Sequence, residues 1–278
     1  MPASCLHERC RALGGAVVLG MASMGVALAA DPSALAQRYI RAYPQFFVAY
    51  QDGQLLTKTG KRIPFDDGRS KDYERMIVDP AVGDHDFDPE DAFHWPYAAG
   101  VALPSAAEPP AGDPGRIRPA AIFQTLYGAT AAERARRLRA VPWFPTRDGK
   151  LTTLRVTTVN GVDQALERVA TALRGLSAQR KRELDGLVFN TDGFSGHFER
   201  PVRGFPLRTS GHAYGIAVDV NWNAEYFSGS HRNQPYRYRN QLPQFLVEIF
   251  EREGFIWGGR WHDYDSLHFE YRPELLGG

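Results

Sequence analysis

One stretch of the chain, residues 162–176, shows apolar side chains at the three- and four-residue spacing of an amphipathic helix. Val162, Leu166, Val169 and Leu173 fall on the same helical face. We expect this face to pack into the core, because a helix with a single apolar face must bury it against another element.

A second amphipathic helix is predicted over residues 241–253, where apolar residues between 245 and 250 would form its buried face. Pro243 suits the first turn, since its missing N–H has no intrahelical partner there. Gly254 stands where a helix commonly ends in a left-handed conformation. The pattern also predicts helices over residues 33–50, 120–127 and 131–141.

Strands are predicted where apolar and polar residues alternate. Residues 150–158 alternate in this way, and a shorter strand is expected at Leu55-Leu56. Strands are also expected at 216–221 and 268–270, each with polar side chains on one face. The segment 104–119 holds five prolines and two glycines, which is too broken for either element. Helices first and strands clustered late favour an α+β fold.

The first 29 residues have the layout of a secretory signal peptide. Arg9 and Arg11 precede an uncharged apolar run from Leu13 to Ala29, which ends in the small-x-small cleavage pattern Ala27-Leu28-Ala29. A membrane anchor is the alternative, but the run is short and rich in Gly and Ala for a permanent span. We therefore expect an exported protein, periplasmic or secreted, with no stable membrane insertion after cleavage.

Composition and charge exclude several classes of function. The chain is 43% hydrophobic and 23% charged, as in ordinary globular proteins. Its net charge of +1 offers no global field for nucleic acid or an anionic membrane. Both cysteines, Cys5 and Cys10, lie in the leader, so the mature chain would have no disulfide and no thiolate ligand. Any metal ion would have to be held by His and carboxylate side chains.

Three residues of the late strands are candidate metal ligands. His212 precedes the strand that carries Asp219, and His268 lies on the second strand. Two histidines and an aspartate suit a zinc ion that keeps one position open for water. If the two strands are neighbours, the three side chains could converge. Asp265, three residues before His268, is a candidate general base. The His-x6-Asp spacing alone is weak, and only the combination has weight.

Three motifs occur in order in this region. They are Ser-x-His-x-x-Gly-x-Ala-x-Asp at residues 210–219, Gly-Phe-x-Trp-Gly-Gly at 254–259 and Asp-x-x-His-Phe at 265–269. With them, residues 192–275 resemble the zinc D,D-carboxypeptidase and L-alanyl-D-glutamate endopeptidase family, the VanY-type LAS metallopeptidases. An upstream Arg-x-x-x-Gly pattern of this family matches residues 200–204.

The resemblance implies zinc held by His212, Asp219 and His268. It implies Asp265 as the general base, and Arg200 as the group that orients the substrate or stabilises the developing oxyanion. It also implies a Hedgehog/D,D-peptidase-like fold, in which a small antiparallel sheet carries the zinc site. The expected organisation is a signal peptide at 1–29, an N-terminal extension with a Pro-rich strap at 30–119, and a zinc peptidase domain at 120–278.

Alternatives remain open for several of these residues. Arg203 and Arg208 lie close to Arg200, and only the Arg-x-x-x-Gly match favours Arg200, whose alternative role is a salt bridge with Glu199 or Glu225. Glu270 would either orient His268 or be an ordinary exposed strand carboxylate.

Three further residues are candidates for substrate binding. Ser210 is one candidate. Trp257 and Trp261 would form walls of the cleft or be simple core aromatics. The aromatic-rich insert 224–239 is expected to border the cleft and to select the bond that is cut.

The function expected from these residues is zinc-dependent hydrolysis of peptidoglycan stem peptides. The bond could be D-Ala-D-Ala, L-Ala-D-Glu or a cross-bridge bond, since these share the same catalytic parts. The alternatives are a non-catalytic peptidoglycan-binding module of the same fold and a peptide hydrolase that does not act on the cell wall.

Overall fold

Short helices and short strands make up residues 31–105, 108–221 and 237–277, the part of the chain that the computed structural model describes. The helices are α1 (Pro32–Ala42), α2 (Tyr73–Met76), α3 (Ala120–Tyr127), α4 (Ala131–Ala135), α5 (Val162–Arg174), α6 (Ala178–Glu183), α7 (Gly211–Tyr214) and α8 (Gln244–Arg252). The strands are β1 (Phe47–Gln51), β2 (Gln54–Thr57), β3 (Arg62–Pro64), β4 (Leu138–Pro142), β5 (Thr153–Thr157), β6 (Pro201–Val202), β7 (Phe205–Thr209), β8 (Ala217–Asp219), β9 (Phe255–Trp257) and β10 (His268–Tyr271). Paired strands run antiparallel, and the expected α+β class is confirmed.

The predicted helix over residues 33–50 is wrong in its second half, which forms a β-hairpin. Helix α1 ends at Ala42, and β1 and β2 then pair across Asp52 and Gly53. Both turn residues have positive φ, 51° and 72°, as a type I′ hairpin turn requires. The hairpin buries Phe47 in the main core, and this packing outweighs any helical preference of the segment.

The predicted helix over residues 131–141 is likewise too long. Helix α4 ends at Ala135, and the chain continues as β4, which pairs with β5 along its whole length. Pairing with β5 places Val141 in the core. Helices α3, α5 and α8 and strands β2 and β5 lie where the pattern predicts them, to within a few residues at their ends.

The main core lies between helices α5 and α8 and the sheet that contains β10. Val162, Leu166, Val169 and Leu173 of α5 are fully buried, as their spacing predicts. The ring of Phe250 on α8 stacks on Phe269 of β10, with centroids 3.9 Å apart. This sheet has the order β8-β10-β9, so β10 is its central strand.

The Pro-rich segment, residues 104–119, runs without helix or strand where it is described, and its second half is tied down by hydrogen bonds. Arg272 donates to the carbonyl oxygens of Gly115 and Ile117, and the N–H of His262 donates to Gly112. Residues 31–278 form one compact unit. The domain boundary near residue 119 stays a prediction.

Two predicted segments fall largely outside the described residues. These are the signal peptide, residues 1–29, and the insert 224–239, of which only 237–239 are described. Within the described residues, no helix combines the length and the apolar character needed to span a bilayer.

Candidate metal centre

His212 lies on a single helical turn that is built around small residues. The hydroxyl of Ser210 caps this turn by accepting the N–H of Ala213. Gly215 ends it with a φ of 74°, a left-handed conformation that glycine adopts without strain. The turn directs His212 inward, and its side chain is buried.

Asp219 and His268 are brought together by strand register. Strands β8 and β10 pair antiparallel, and Asp219 stands directly opposite His268. Side chains of directly opposed residues lie on the same face of a sheet. The two strands are therefore neighbours, as expected, and their pairing brings together two residues that are far apart in sequence.

The three candidate ligands converge on one point. His212 Nε2 lies 3.1 Å from Asp219 Oδ1 and 3.2 Å from His268 Nδ1, which in turn lies 3.2 Å from the same carboxylate oxygen. A tetrahedral zinc ion with ligand bonds of about 2.0–2.1 Å would separate its ligand atoms by about 3.3 Å. The spacing and the chemistry of this donor set therefore fit zinc.

The remaining polar atoms of these side chains are held by neighbours. His212 Nδ1 is 2.9 Å from the carbonyl oxygen of Gly196, and Asp219 Oδ2 accepts the hydroxyl of Ser195 at 2.9 Å. His268 Nε2 lies 3.2 Å from Glu270 Oε2. Each ring thus donates an N–H outward and directs its other nitrogen to the shared point, as in metal sites whose ligands are oriented by outer partners.

Strong electrostatic coupling links these groups. Burial alone would raise the pKa of Asp219, but the imidazoles of His212 and His268 hold it well below its usual range. Burial opposes the charged form of His268, yet hydrogen bonds to Asp219 and Glu270 raise its pKa to about 9. These shifts show that a positive charge is stabilised at the shared point.

Glu270 links the candidate centre to a buried network of arginines. It accepts hydrogen bonds from Arg118 Nε at 2.7 Å and Nη2 at 2.5 Å, and Arg272 Nη1 lies 3.4 Å away. Burial would raise the pKa of Glu270, but Arg118, His268 and Arg272 hold it well below its usual range. Glu270 is fully buried, so of its two expected roles the structure favours the partner of His268.

Asp265 lies in the loop that leads into β10. Its N–H donates to the carbonyl of Gly258, and its own carbonyl accepts the N–H of His268. The side-chain oxygen Oδ1 is buried and has no hydrogen-bond partner among the described residues. Burial raises the pKa of Asp265, while the neighbouring His268 opposes this shift.

Arg200 is connected to the candidate centre through an aromatic ring. Its guanidinium carbon is 4.3 Å from the ring centroid of Phe198, and that ring stacks on His212 at 4.2 Å. The proposed salt bridge with Glu199 is not formed. Glu199 pairs instead with Arg134 and with His197. Glu225 lies outside the described residues.

The two neighbouring arginines differ in their surroundings. Arg208 is committed to structure, since it donates to the backbone carbonyls of Met76, Ile77 and Val82. Arg203 is exposed in the turn between β6 and β7. Of the three arginines, Arg200 is the one that the structure joins to a candidate ligand.

The three residues suggested for substrate binding occupy different environments. Ser210 uses its hydroxyl as the helix cap and also donates it to the carbonyl of Arg200. Trp257 is fully buried in the main core, and its indole N–H donates to Ser266. Trp261 is buried in a second hydrophobic cluster with Tyr97 and Ile256, and its ring lies 5.3 Å from that of His268.

Other acidic groups of the described residues resemble this centre only in composition. Asp66, Asp67 and Asp88 lie close together, as do Asp88, Glu90 and Asp91. The ammonium of Lys71 contacts both groups, at 2.7 Å from Asp88 and 2.6 Å from Asp91. They lack the histidine ligands of the first centre.

Several residues that surround the centre were not predicted from the sequence. Ser195, the carbonyl of Gly196 and Phe198 come from a segment without regular structure, and Arg116 and Arg118 come from the Pro-rich strap. None of them belongs to a motif of alternating or helical spacing. No pattern marks the two arginines, which stand in a proline-rich segment that also contains Glu108 and Asp113.

One protein-family model matches the part of the chain that contains the candidate centre. Residues 206–271 match the model of the M15 peptidases described as D-alanyl-D-alanine carboxypeptidase. The matched segment contains His212, Asp219, Asp265 and His268, whereas Arg200 and the strap lie outside it. No curated protein and no solved structure matches the chain. The match supports a metallopeptidase of carboxypeptidase type.

Proposed function

We propose that this protein is an exported zinc peptidase that hydrolyses a peptide bond in the stem peptides of peptidoglycan. The observation that carries the proposal is the convergence of His212 Nε2, Asp219 Oδ1 and His268 Nδ1, which belong to three buried residues. The match of residues 206–271 to D-alanyl-D-alanine carboxypeptidases supports the substrate class.

His212, Asp219 and His268 would hold the zinc ion as three protein ligands. A zinc ion bound in this way supplies Lewis acidity, which makes a water molecule a nucleophile near neutral pH. The outward hydrogen bonds of the two rings, to Gly196 and Glu270, direct the other nitrogen of each ring toward the shared point. Both histidines are thus prepared for a cation before it arrives.

Asp265 takes the role of general base. Its buried Oδ1 has no partner among the described residues, and the proton of the attacking water gives it one. The proton then passes to the amine that leaves when the peptide bond breaks. A carboxylate whose pKa is raised by burial holds the transferred proton better than an exposed one would.

Arg200 serves the substrate side of the reaction. Arg200 is exposed, and its guanidinium rests on Phe198, whose ring stacks on His212. A planar guanidinium suits the charge that gathers on the carbonyl oxygen, or a carboxylate of the peptide. Because stacking on the ring of Phe198 already restricts the side chain of Arg200, less conformational freedom is lost when Arg200 binds the substrate.

The test is mass spectrometry of purified muropeptides after incubation with the protein. We expect one peptide bond to be cleaved, EDTA to abolish the cleavage and zinc to restore it. Asp219→Ala should abolish both cleavage and zinc binding. Intact muropeptides after incubation with a zinc-loaded protein would contradict the proposed hydrolysis and favour the peptidoglycan-binding module instead.

A further inference from the structure

Each candidate histidine ligand lies beside an aromatic ring that also carries an arginine. On one side, Phe198 connects His212 to Arg200. On the other side, the ring of Trp261 lies 5.3 Å from His268, and the guanidinium carbon of Arg116 lies 4.3 Å from the centroid of Trp261. The candidate centre is therefore flanked by two cations, of which the family match includes neither.

Arg116 is held in place by the strap on both sides of it. Gly115 and Ile117 are buried, and their carbonyls accept hydrogen bonds from Arg272. A Cβ at Gly115 would lie 2.3 Å from Ile256, so the strap packs closely against β9. Asp113 accepts the N–H of Asp263 at 2.8 Å and fixes the other end. The arginine thus projects from a rigid part of the chain.

The guanidinium of Arg116 has hydrogen-bonding capacity that the fold does not use. Nη2 donates to the carbonyl of Asp263, but Nε is buried and has no partner among the described residues. No carboxylate forms an ion pair with Arg116 in this part of the chain. A buried donor without a partner costs free energy, and a structural arginine such as Arg208 uses its donors on backbone carbonyls instead.

Two further polar atoms close to Arg116 lack partners in the same way. The indole N–H of Trp261 and Oδ1 of Asp265 are both buried without a hydrogen bond to any described residue. Among the described residues, the unpartnered atoms near His268 are therefore two donors, Arg116 Nε and Trp261 Nε1, and one acceptor, Asp265 Oδ1. A ligand that carries anionic oxygens and an amide provides hydrogen-bond partners for the donors and for the acceptor at once.

We propose that Arg116 binds the free C-terminal carboxylate of the peptide, so that the enzyme releases the last residue of its substrate. This inference rests on the proposed peptidase function and narrows it to carboxypeptidase specificity. Arg116 is only partly exposed and is bordered by the buried strap and by Trp261, which suits a chain end. Arg200 is exposed, which leaves room for the rest of the peptide on its side.

The experiment compares two substrates that differ in one group. One is an acylated L-Lys-D-Ala-D-Ala with a free terminal carboxylate, and the other is its C-terminal amide. Loss of a hydrogen bond between charged groups lowers binding by about 10- to 100-fold, so the wild-type enzyme should prefer the acid by that factor in kcat/KM. Arg116→Gln should remove most of this preference, and Arg116→Lys should retain part of it.

A matched control removes an arginine of the same kind elsewhere. Arg180 lies 4.7 Å from the ring of Phe245, on helix α6 and outside the candidate site. Arg180→Gln should keep the full preference for the acid. A second readout needs no catalysis: acetyl-D-Ala-D-Ala should bind the metal-free wild type more tightly than its amide does, and Arg116→Gln should lose that difference in calorimetry.

The outcomes separate this inference from the proposed function. If the zinc-loaded wild type leaves both substrates intact but cleaves muropeptides at another bond, the carboxypeptidase inference is overturned and the peptidase proposal stands. If muropeptides also stay intact, both are overturned. Cleavage of acid and amide at equal rates would overturn the role of Arg116 and leave the peptidase intact. An unchanged acid preference in Arg116→Gln or Arg116→Lys, with all rates lowered, would mean that Arg116 only ties the strap to the loop of Asp263.

Discussion

Replacement of Glu270 by glutamine tests how far the metal site depends on its buried surroundings. The fully buried carboxylate accepts hydrogen bonds from Arg118 at 2.7 and 2.5 Å, and His268 Nε2 lies 3.2 Å away. Glutamine has nearly the same shape, but it carries no charge and replaces one acceptor oxygen with a donor. The substitution therefore leaves Arg118 uncompensated and His268 without its anionic partner.

Two separate losses are expected from Glu270→Gln. Removing one partner of a buried ion pair costs about 3–5 kcal/mol, and the lower end applies because the amide oxygen can still accept one hydrogen bond and Arg272 retains Glu274. Loss of a partner that orients a histidine ligand lowers metal affinity by about 10- to 100-fold. Stability should therefore fall in the metal-free protein, and zinc affinity should fall in addition.

Each loss has its own assay and a common control. Urea unfolding with EDTA present measures the first loss, and competition with a chromophoric chelator measures the zinc affinity. Glu251→Gln is the matched variant, because Glu251 is also buried and accepts Arg260 Nε at 2.8 Å and the hydroxyl of Tyr97 at 2.7 Å. It should lose stability without any change in zinc affinity.

Equal zinc affinities in wild type and Glu270→Gln would refute the reasoning, because Glu270 would then support the fold alone. A loss of zinc affinity in Glu251→Gln as large as in Glu270→Gln would also refute it. In that case the effect would follow from general destabilisation rather than from the contact with His268.

Three further predictions concern the same centre. Asp265→Asn should lower kcat by about 100-fold or more and leave zinc binding intact, and a loss of less than tenfold with zinc bound would exclude Asp265 as the base. In the metal-free protein, the raised pKa of His268 gives stability that is complete below about pH 6.5 and is lost as the pH rises through about 9. The low pKa of Asp219 gives stability that is lost as the pH falls, and this loss occurs only under acid conditions. Zinc requires the unprotonated ring, so the increase in melting temperature caused by zinc should grow between pH 6 and 9. An increase that calorimetry finds independent of pH would contradict this link between zinc binding and the protonation of His268. Gly211→Ala places a Cβ 2.6 Å from Glu270 Oε2 and should destabilise the protein by about 1–3 kcal/mol. Urea unfolding measures this loss, and a stability equal to that of the wild type would contradict the close packing at this site.

The sequence predicted the candidate ligands because they lie in short segments with strong local patterns. Alternation placed Asp219 and His268 on strands, and the residue types limited the chemistry to a His-and-carboxylate site. The pattern alone did not give the pairing of β8 with β10, which sets Asp219 opposite His268. That register depends on contacts between residues distant in sequence.

Other parts of the molecule lacked a local signal. The second halves of the predicted helices at 33–50 and 131–141 form strands because their partners, β2 and β5, provide pairing and burial that helical preference does not reveal. Arg116 and Arg118 lie in a segment without periodicity, so nothing in the pattern indicated that they border the centre. Their positions follow from long-range hydrogen bonds to residues 263 and 270.

The most direct test of the account is a crystal structure of the zinc-loaded protein with anomalous diffraction recorded at the zinc edge. The account predicts one anomalous peak per chain, bonded to His212 Nε2, Asp219 Oδ1 and His268 Nδ1, with Asp265 beside its open position. A zinc-soaked crystal with no peak at these three atoms, or with zinc bound only elsewhere, would contradict it.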